Sequence, residues 1–412
     1  MSNRPPVEKE DLNLDPSKGY TQTQIRALYA RYSLKEWALD SDRDMSRFVY
    51  LNLPRFFPHA VIQRAGPISP LQSAPDPDIG KTSAKTYAGE MTLDAWAAGH
   101  LDGCIVVRDG KIIYETYPRM RPNDKHIWWS VSKTFTGTAV GLLEEQGLVD
   151  VEQPIETYIA ALSESAWSGT PVIDILDMAS GMTGLESDDP EAYTNPDSPY
   201  ALYESSLGYQ VPTEKTMKST YEYMTTMERQ KPSGQVDEYT SVNTFVLAWL
   251  LEDLLDKPFA EIVSELFWSK IGAQADALLG VSAIGAPGAS GLISSTLRDL
   301  ARYGLLYTPS WRVVAREQVI PDALIKRIQT EGRPALYQAG SSKAVWDDYM
   351  GEACLWGTRQ FDFVTQDGDF AKTGYHGQTF YISPGKNLVV ASFGTGEEYD
   401  TYRYARAIAK AL

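Results

Sequence analysis

Strand-like segments lie near both ends of the part of the chain with clear periodicity. Segments 104–108 and 111–116 flank Asp109-Gly110, and an Asp-Gly pair between two such runs is typical of a two-residue β-hairpin turn. Near the C-terminus, 378–382 and 387–393 form a second strand pair. A mainly helical stretch separates the two pairs. The pattern predicts an α+β fold in which one antiparallel sheet is assembled from distant parts of the chain and flanked by helices.

The middle of the chain has helical spacing of apolar residues, most clearly over 245–251 and 260–266. Segment 187–210 is rich in Asp, Pro, Ser and Tyr without a period, which predicts a long loop. A last helix is predicted at the C-terminus, with Glu397 and Glu398 in its first turn. Its apolar stripe would consist of Tyr402, Ala405, Ile408 and Leu412.

The residues before about 90 are rich in proline and charge. Segment 24–39 has a helix-like pattern and 48–51 is short and apolar, whereas prolines between 67 and 77 argue against regular structure there. This part is interpreted as an extension that wraps a core rather than as a separate domain.

Charge and cysteine content exclude several classes of protein. The 412 residues contain 38 Lys and Arg against 54 Asp and Glu, a formal net charge of −16, so neither nucleic acid nor a membrane is expected as a partner. Cys104 and Cys354 cannot build a disulfide framework and lack zinc-ligand spacing. The first residues have no apolar signal region, and no run of about 18 apolar residues occurs, which predicts a cytoplasmic protein.

Several catalytic motifs do not occur in the sequence. It contains no Gly-x-Ser-x-Gly, no His-Glu-x-x-His, no Walker-type Gly-x-x-x-x-Gly-Lys and no Gly-x-Gly-x-x-Gly. The 4 histidines are scattered and have no helical i, i+4 spacing. An α/β-hydrolase, a metal enzyme and a nucleotide enzyme are therefore disfavoured, and no cofactor or metal is expected.

The tetrapeptide Ser-x-x-Lys is present in two places. Ser383-Pro-Gly-Lys386 falls in a turn between two predicted strands, where Lys386 is expected to be a solvated turn residue. Ser130-Val-Ser-Lys133 opens a predicted helix that ends near Gly147. Because residues three apart share one face of a helix, the side chains of Ser130 and Lys133 are expected to meet.

That arrangement suits nucleophilic catalysis. A serine hydroxyl is a weak nucleophile until a base takes its proton. A lysine can be that base when burial or a second cation lowers its pKa. Ser130 is therefore the candidate nucleophile and Lys133 the candidate base, with chance occurrence of a short motif as the alternative.

Two further segments strengthen this interpretation. Lys372-Thr-Gly374 precedes a predicted strand and offers a cation and a hydroxyl to a substrate carboxylate or carbonyl. The backbone N–H groups of Tyr375 and Ser130 could hold the oxyanion. Tyr239 stands just before an apolar helix and is the candidate proton shuttle. The alternative for Lys372-Thr-Gly374 is a polar strand start without a binding role, and the alternative for Tyr239 is a tyrosine of the core.

In this order, Ser130-Val-Ser-Lys133, Tyr239 and Lys372-Thr-Gly374 resemble the motifs of the serine β-lactamase and penicillin-recognising hydrolase superfamily, in its class C-like branch. The resemblance covers roughly residues 95–412. It implies a β-lactamase-like fold with an inserted mainly helical domain, and catalytic roles for Ser130, Lys133 and Tyr239. The connecting segments that also resemble this superfamily are 109–115, 147–150, 172–181 and 291–300.

The resemblance and the patterns together suggest a division of the chain. Residues 1–90 are the N-terminal extension. An α/β domain is split between 91–150 and 286–412, and 151–285 form the helical domain with the substrate loop.

Within the superfamily the chain most resembles the 6-aminohexanoate-oligomer hydrolases, in segments 130–137, 239–244 and 375–378. In that branch a substrate-loop tyrosine closes on the bound amide, and Tyr193 is the candidate here. Class C β-lactamases carry Tyr-x-Asn, whereas this chain has Ser241 at the third position and Asn243 two residues later, which argues against β-lactam recognition. The predicted substrate-binding residues are Lys372, Thr373, Gly374, His376 and Tyr193.

The expected function is a serine hydrolase that cleaves a small amide or ester through an acyl-serine intermediate. The alternatives are a carboxylesterase or acyltransferase of the same superfamily, a β-lactamase-like enzyme, and a non-catalytic relative that uses the cleft to bind a ligand. The intact Ser, Lys and Tyr argue against the last. The identity of the small-molecule substrate and the oligomeric state stay open, with a homodimer among the alternatives.

Overall fold

The computed structural model describes residues 12, 14–38, 42–396 and 399–412. The strands are β1 (His59–Ile62), β2 (Gln72–Ser73), β3 (Ser83–Thr86), β4 (Gly89–Thr92), β5 (Leu101–Arg108), β6 (Lys111–Thr116), β7 (His126–Ile127), β8 (Ala277–Gly280), β9 (Ile293–Ser295), β10 (Trp356–Thr358), β11 (Phe361–Val364), β12 (Phe370–Gly374), β13 (Gln378–Ser383) and β14 (Leu388–Gly394). The helices are α1 (Gln22–Arg31), α2 (Arg43–Tyr50), α3 (Leu93–His100), α4 (Lys133–Glu145), α5 (Val172–Leu176), α6 (Pro199–Ser206), α7 (Thr220–Thr226), α8 (Ser241–Leu255), α9 (Phe259–Val263), α10 (Leu297–Leu305), α11 (Asp322–Thr330), α12 (Pro334–Ala339), α13 (Ser342–Met350) and α14 (Thr401–Ala411).

The main sheet joins the two ends of the chain. Its eight strands run in the order β10-β11-β12-β13-β14-β5-β6-β2, and β14 pairs antiparallel with β5. The predicted hairpin is confirmed: Asp109 and Gly110 both have positive φ, at 49° and 72°, as a type I′ turn requires. The α+β prediction is confirmed as well, although the short edge strand β2 pairs parallel with β6.

Both faces of this sheet are covered by helices. Along β5, Ile105 and Val107 belong to one hydrophobic core, and Cys104 and Val106 belong to a second core on the opposite face. This follows from the period of two in a strand, which sends successive side chains to opposite faces. Helix α10 supplies residues to the first core and α14 supplies residues to the second.

A second, four-stranded sheet contains the strand that precedes the candidate site. Its order is β1-β8-β9-β7, so β1, from the N-terminal extension, pairs antiparallel with β8, which lies near the end of the helical region. Strand β7 leads directly into the segment that contains Ser130. A separate two-stranded sheet is formed by β3 and β4.

Helix α8 is the centre of the helical region. It is buried from Ser241 to Leu251, and the Thr240 side chain accepts a hydrogen bond from the Val242 N–H at its start. The predicted long loop over 187–210 is wrong in part, because α6 lies within it. Ser198 caps that helix by accepting from the Ala201 N–H at 3.1 Å, and Pro199 takes its first position.

The terminal helices differ somewhat from the predictions. The first helix, α1, ends at Arg31, and residue 39 lies outside the described residues. The last helix, α14, buries Tyr402, Ala405 and Ile408 as predicted, but it ends at Ala411, so Leu412 lies just beyond it and is only partly buried. Glu397 and Glu398 lie outside the described residues. No helix within the described ranges is long and apolar enough to cross a membrane.

Candidate active site

Ser130 lies in a tight turn between β7 and α4. Residues Trp129–Ser132 form a 3-10 helix, and α4 begins at Lys133. Trp129 has a φ of 49°, which is left-handed and therefore strained for a residue with a large side chain. Because residues three apart eclipse in a 3-10 helix, this turn places the Lys133 side chain beside that of Ser130.

The Lys133 amine is buried among three oxygens. Its Nζ lies 2.9 Å from Ser130 Oγ, 2.8 Å from Ser241 Oγ and 2.9 Å from the Ser290 carbonyl oxygen. Burial lowers the pKa of Lys133 to about 7; Glu186 opposes this shift and Lys372 adds to it. An ammonium group has three N–H donors and no lone pair. The neutral amine can donate to Ser241 and Ser290 and still accept the proton of Ser130.

The Tyr239 phenol lies between the two lysines. Its oxygen accepts a hydrogen bond from Lys372 Nζ at 3.2 Å, and the Nζ atoms of Lys133 and Lys372 lie 5.1 and 4.4 Å from its ring centre. Burial, Glu186 and Asp362 raise the pKa of Tyr239 well above its ordinary value, and a hydrogen bond with Ser130 opposes them. The phenol therefore keeps its proton and can act as a proton donor.

Gly374 brings the end of β12 against the turn that carries Ser130. A Cβ atom at this position would lie 2.3 Å from the Trp128 carbonyl oxygen, so the contact requires glycine. The Tyr375 ring then packs edge-on against Trp129, with 5.5 Å between ring centres. The two backbone segments that were predicted to hold an oxyanion, at Ser130 and Tyr375, are thus neighbours.

The predicted substrate-binding residues occupy different places. Thr373 lines the cleft, and so does Tyr193, which is 59% exposed and has its hydroxyl 3.4 Å from Glu186 Oε2. Lys372 is fully buried at the base of the site. His376 is also buried, with its Nδ1 2.6 Å from the Tyr50 hydroxyl, and burial lowers its pKa to about 3. The His376 side chain thus lies behind the cleft wall as a neutral ring.

Sequence reasoning missed Asp362. Its carboxylate pairs with Lys372 Nζ and accepts hydrogen bonds from the Thr373 N–H and hydroxyl, each at 2.7 Å. The sequence held a usable signal, because Asp362 is a single charge inside the apolar strand Phe361–Val364. A buried charge needs a partner, and the nearest buried cation on a neighbouring strand is Lys372.

The N-terminal extension also contributes to the site. The Trp37 ring stacks on Trp129 with 5.1 Å between centres, and Trp37 Nε1 donates to the Tyr209 carbonyl at 2.9 Å. Tyr50 contacts both His376 and the edge of Trp129. Residues before 90 therefore support the turn before Ser130 and the residue after Tyr375. No local pattern in the sequence indicated these contacts.

The cleft in front of Ser130 has a volume of about 380 Å³ and combines aromatic walls with acidic groups. Glu186 accepts from the Ser241 N–H at 2.6 Å. Burial and the charge of Glu186 raise the pKa of Glu204 to about 8. The aromatic and acidic lining residues are Trp37, Trp129, Tyr193, Tyr200, Tyr209, Tyr239, Trp346, Tyr375, Tyr399, Glu186, Glu204 and Asp362.

Ser241 and Asn243 have separate roles. Ser241 faces Lys133, as described above, whereas the Asn243 Oδ1 accepts a hydrogen bond from the Ser180 hydroxyl at 2.7 Å. Asn243 is fully buried and is not part of the cleft lining. It therefore does not replace the asparagine that class C β-lactamases carry.

Comparisons with known proteins agree with this architecture. A 6-aminohexanoate-dimer hydrolase from Paenarthrobacter ureafaciens is 28% identical over 389 residues, which cover 92% of this chain and 93% of that protein. The solved structure of a candidate 6-aminohexanoate-dimer hydrolase from Bacillus anthracis superposes with a TM-score of 0.78 at 21% identity, covering 92% of this chain and 96% of that one. A family VIII carboxylesterase structure has a TM-score of 0.58 at 14% identity, covering 83% and 99%.

The family comparison is broader than any single relative. The family model described as Beta-lactamase matches residues 93–412, which include Ser130, Lys133, Tyr239 and the Lys372-Thr-Gly374 segment. It also spans most of the main sheet and the whole helical region. The resemblance drawn from the three motifs is thereby confirmed: the chain belongs to the beta-lactamase family and is a hydrolase of the β-lactamase superfamily.

Proposed function

We propose that this protein is a serine hydrolase that cleaves small amides or esters through an acyl-serine intermediate. One observation carries the proposal: the buried Lys133 amine, with a pKa of about 7, lies 2.9 Å from Ser130 Oγ. Two other acceptors, at Ser241 and Ser290, engage its N–H groups and leave the lone pair for the serine proton. A serine with such a base is an activated nucleophile.

The acylation step follows from the positions of these groups. Lys133 takes the Ser130 proton as Oγ bonds to the substrate carbonyl carbon, and the N–H groups of Ser130 and Tyr375 stabilise the oxyanion. Tyr239 donates its proton to the leaving amine or alcohol as the scissile bond breaks, and Lys133 returns the serine proton to the phenol. In deacylation, a water molecule attacks the acyl-serine ester and gives a proton to Tyr239 while the phenol passes its own proton to Lys133. Lys133 then gives that proton to Ser130 Oγ as the ester bond breaks, which frees the serine.

The cleft favours a small substrate with a neutral or amine-bearing chain. The carboxylate of Glu186 lines it, and its aromatic walls suit an aliphatic segment. The Paenarthrobacter relative is named for the 6-aminohexanoate dimer, a linear amide with a free amine at one end and a carboxylate at the other, each separated from the amide by an aliphatic chain. We therefore propose linear amides and small esters as the substrate class, as in the 6-aminohexanoate-dimer hydrolases.

The activity is expected to rise as the pH increases through about 7. Below that value Lys133 is protonated and has no lone pair for the Ser130 proton, so kcat/KM should fall about tenfold per pH unit. A profile between about pH 5 and 9 with a small neutral ester would measure it. In Glu186→Gln the midpoint should move to lower pH, because the charge of Glu186 favours the ammonium form of Lys133 and the amide oxygen can still accept from the Ser241 N–H. A profile that is flat across pH 7 would contradict this role of Lys133.

A substrate panel tests the proposed function. We expect turnover of p-nitrophenyl esters of short acids and of a linear amide of 6-aminohexanoate, and little or none of nitrocefin, because Ser241 replaces the asparagine of class C β-lactamases. Hydrolysis would be followed by p-nitrophenol absorbance and by chromatography of the released amine. Nitrocefin as the best substrate would favour the β-lactamase alternative. Transfer to an added alcohol in preference to water would favour an acyltransferase.

A further inference from the structure

Three hydrogen-bond donors at the end of β12 converge on a carboxylate of the protein itself. Lys372 Nζ pairs with Asp362 Oδ1, and the N–H and hydroxyl of Thr373 each donate to Asp362 Oδ2 at 2.7 Å. A cation, an N–H and an O–H that point to one place are a donor set suited to a carboxylate ligand. Asp362 occupies this donor set from within the fold.

The arrangement results from strand pairing. Strands β11 and β12 are antiparallel, with Phe363 opposite Ala371, and this register places Asp362 beside Lys372. The Lys372 side chain is 0% exposed and that of Asp362 is 5% exposed. Asp362 and Thr373 nevertheless line the cleft with Ser130. The occupied donors therefore lie beside the reacting groups, since Lys372 also donates to Tyr239.

A substrate carboxylate at this place would meet two obstacles. The donors of Lys372 and Thr373 that would bind it already donate to Asp362. The substrate carboxylate would also lie next to the negative charge of Asp362. Like charges placed side by side in an interface disfavour binding. We propose that Asp362 is a resident carboxylate that occupies the anion-binding donors of Lys372 and Thr373, so that the enzyme selects against substrates with a carboxylate next to the scissile bond. The inference rests on the proposed function, because it narrows the substrate class of the same site.

A matched pair of substrates tests this selection. Two p-nitrophenyl esters would share one acyl chain and differ only in a carboxamide or a carboxylate next to the ester. The wild type is expected to have a kcat/KM at least about tenfold higher for the carboxamide ester than for the carboxylate ester. Asp362→Ala should reduce this ratio of the two kcat/KM values by a similar factor. Equal kcat/KM values in the wild type, or an unchanged ratio in the variant, would overturn the proposal.

Anion binding can be measured without turnover. In Asp362→Ala, sodium formate should raise the melting temperature relative to sodium chloride at equal ionic strength and relative to formamide, whereas the wild type should not respond. Absence of a formate-specific shift would overturn the proposal. If the wild type hydrolyses neither ester, the proposed function fails, and the formate titration still decides whether these donors bind a carboxylate.

A second variant, Asp362→Asn, is a control for misfolding of Asp362→Ala. Asp362→Asn keeps the shape of the side chain and an acceptor for Thr373 but removes the negative charge. We expect it to narrow the substrate ratio, since the repulsion is gone, and to show no formate response, since its amide fills the space. A ratio equal to that of the wild type in a folded Asp362→Asn protein would contradict the selection.

Discussion

Replacement of Ser130 by alanine is expected to lower kcat for a small ester by at least about 10³-fold, as removal of the nucleophile does in acyl-enzyme mechanisms. The fold should persist, because Ser130 is only half-buried and its partner Lys133 keeps its hydrogen bonds with Ser241 and Ser290. Loss of one such hydrogen bond costs about 1 kcal/mol of stability. Turnover and the thermal melting curve of the purified variant would measure both effects.

Covalent labelling separates the nucleophile from other serines. A fluorophosphonate probe should add one label to the wild type, located at Ser130 by peptide mass, and none to Ser130→Ala. The matched control is Ser383→Ala, which alters the serine of the second Ser-x-x-Lys sequence. Ser383 is buried at the end of β13, and Lys386 is exposed in the turn that follows. Full labelling of Ser130→Ala would assign the nucleophile to another residue.

Local patterns predicted the parts of the fold that depend on local chemistry. The β5–β6 hairpin followed from Asp109-Gly110, because that pair accepts the two positive φ angles of the turn. The C-terminal strands and α14 followed from apolar periodicity. Helix α6 was missed because the composition of 187–210 resembles a loop, although Ser198 followed by Pro199 is a helix-start pattern.

Contacts between residues distant in sequence could not be predicted from the residues alone. Tyr50 and His376 are 326 positions apart, and nothing near either residue indicates the other. The stacking of Trp37 on Trp129 is of the same kind. The Ser130–Lys133 contact could be predicted because both residues lie in one turn, whereas the pairing of Asp362 with Lys372 needed the register of β11 and β12.

Replacement of Lys133 by methionine is expected to lower kcat by about 10²–10⁴-fold, the range that a positioned general base contributes. Methionine is similar in length, but its thioether sulfur is only a weak acceptor and is not basic enough to take the Ser130 proton. The residual activity should no longer titrate near pH 7, because the group whose pKa burial lowers to about 7 is gone. Both the rate and the pH profile would be measured with the same neutral ester.

The control for this variant is Lys386→Met, in the second Ser-x-x-Lys sequence. Lys386 is exposed in the turn after β13, so its loss should change neither kcat nor the pH profile. Lys133→Met also leaves Ser241 and the Ser290 carbonyl without their buried donor, which should lower the melting temperature. If Lys133 had only a structural role, its replacement would lower the stability, but the remaining activity would keep its midpoint near pH 7. Loss of that midpoint in the folded variant, with the midpoint retained in Lys386→Met, would assign the proton transfer to Lys133.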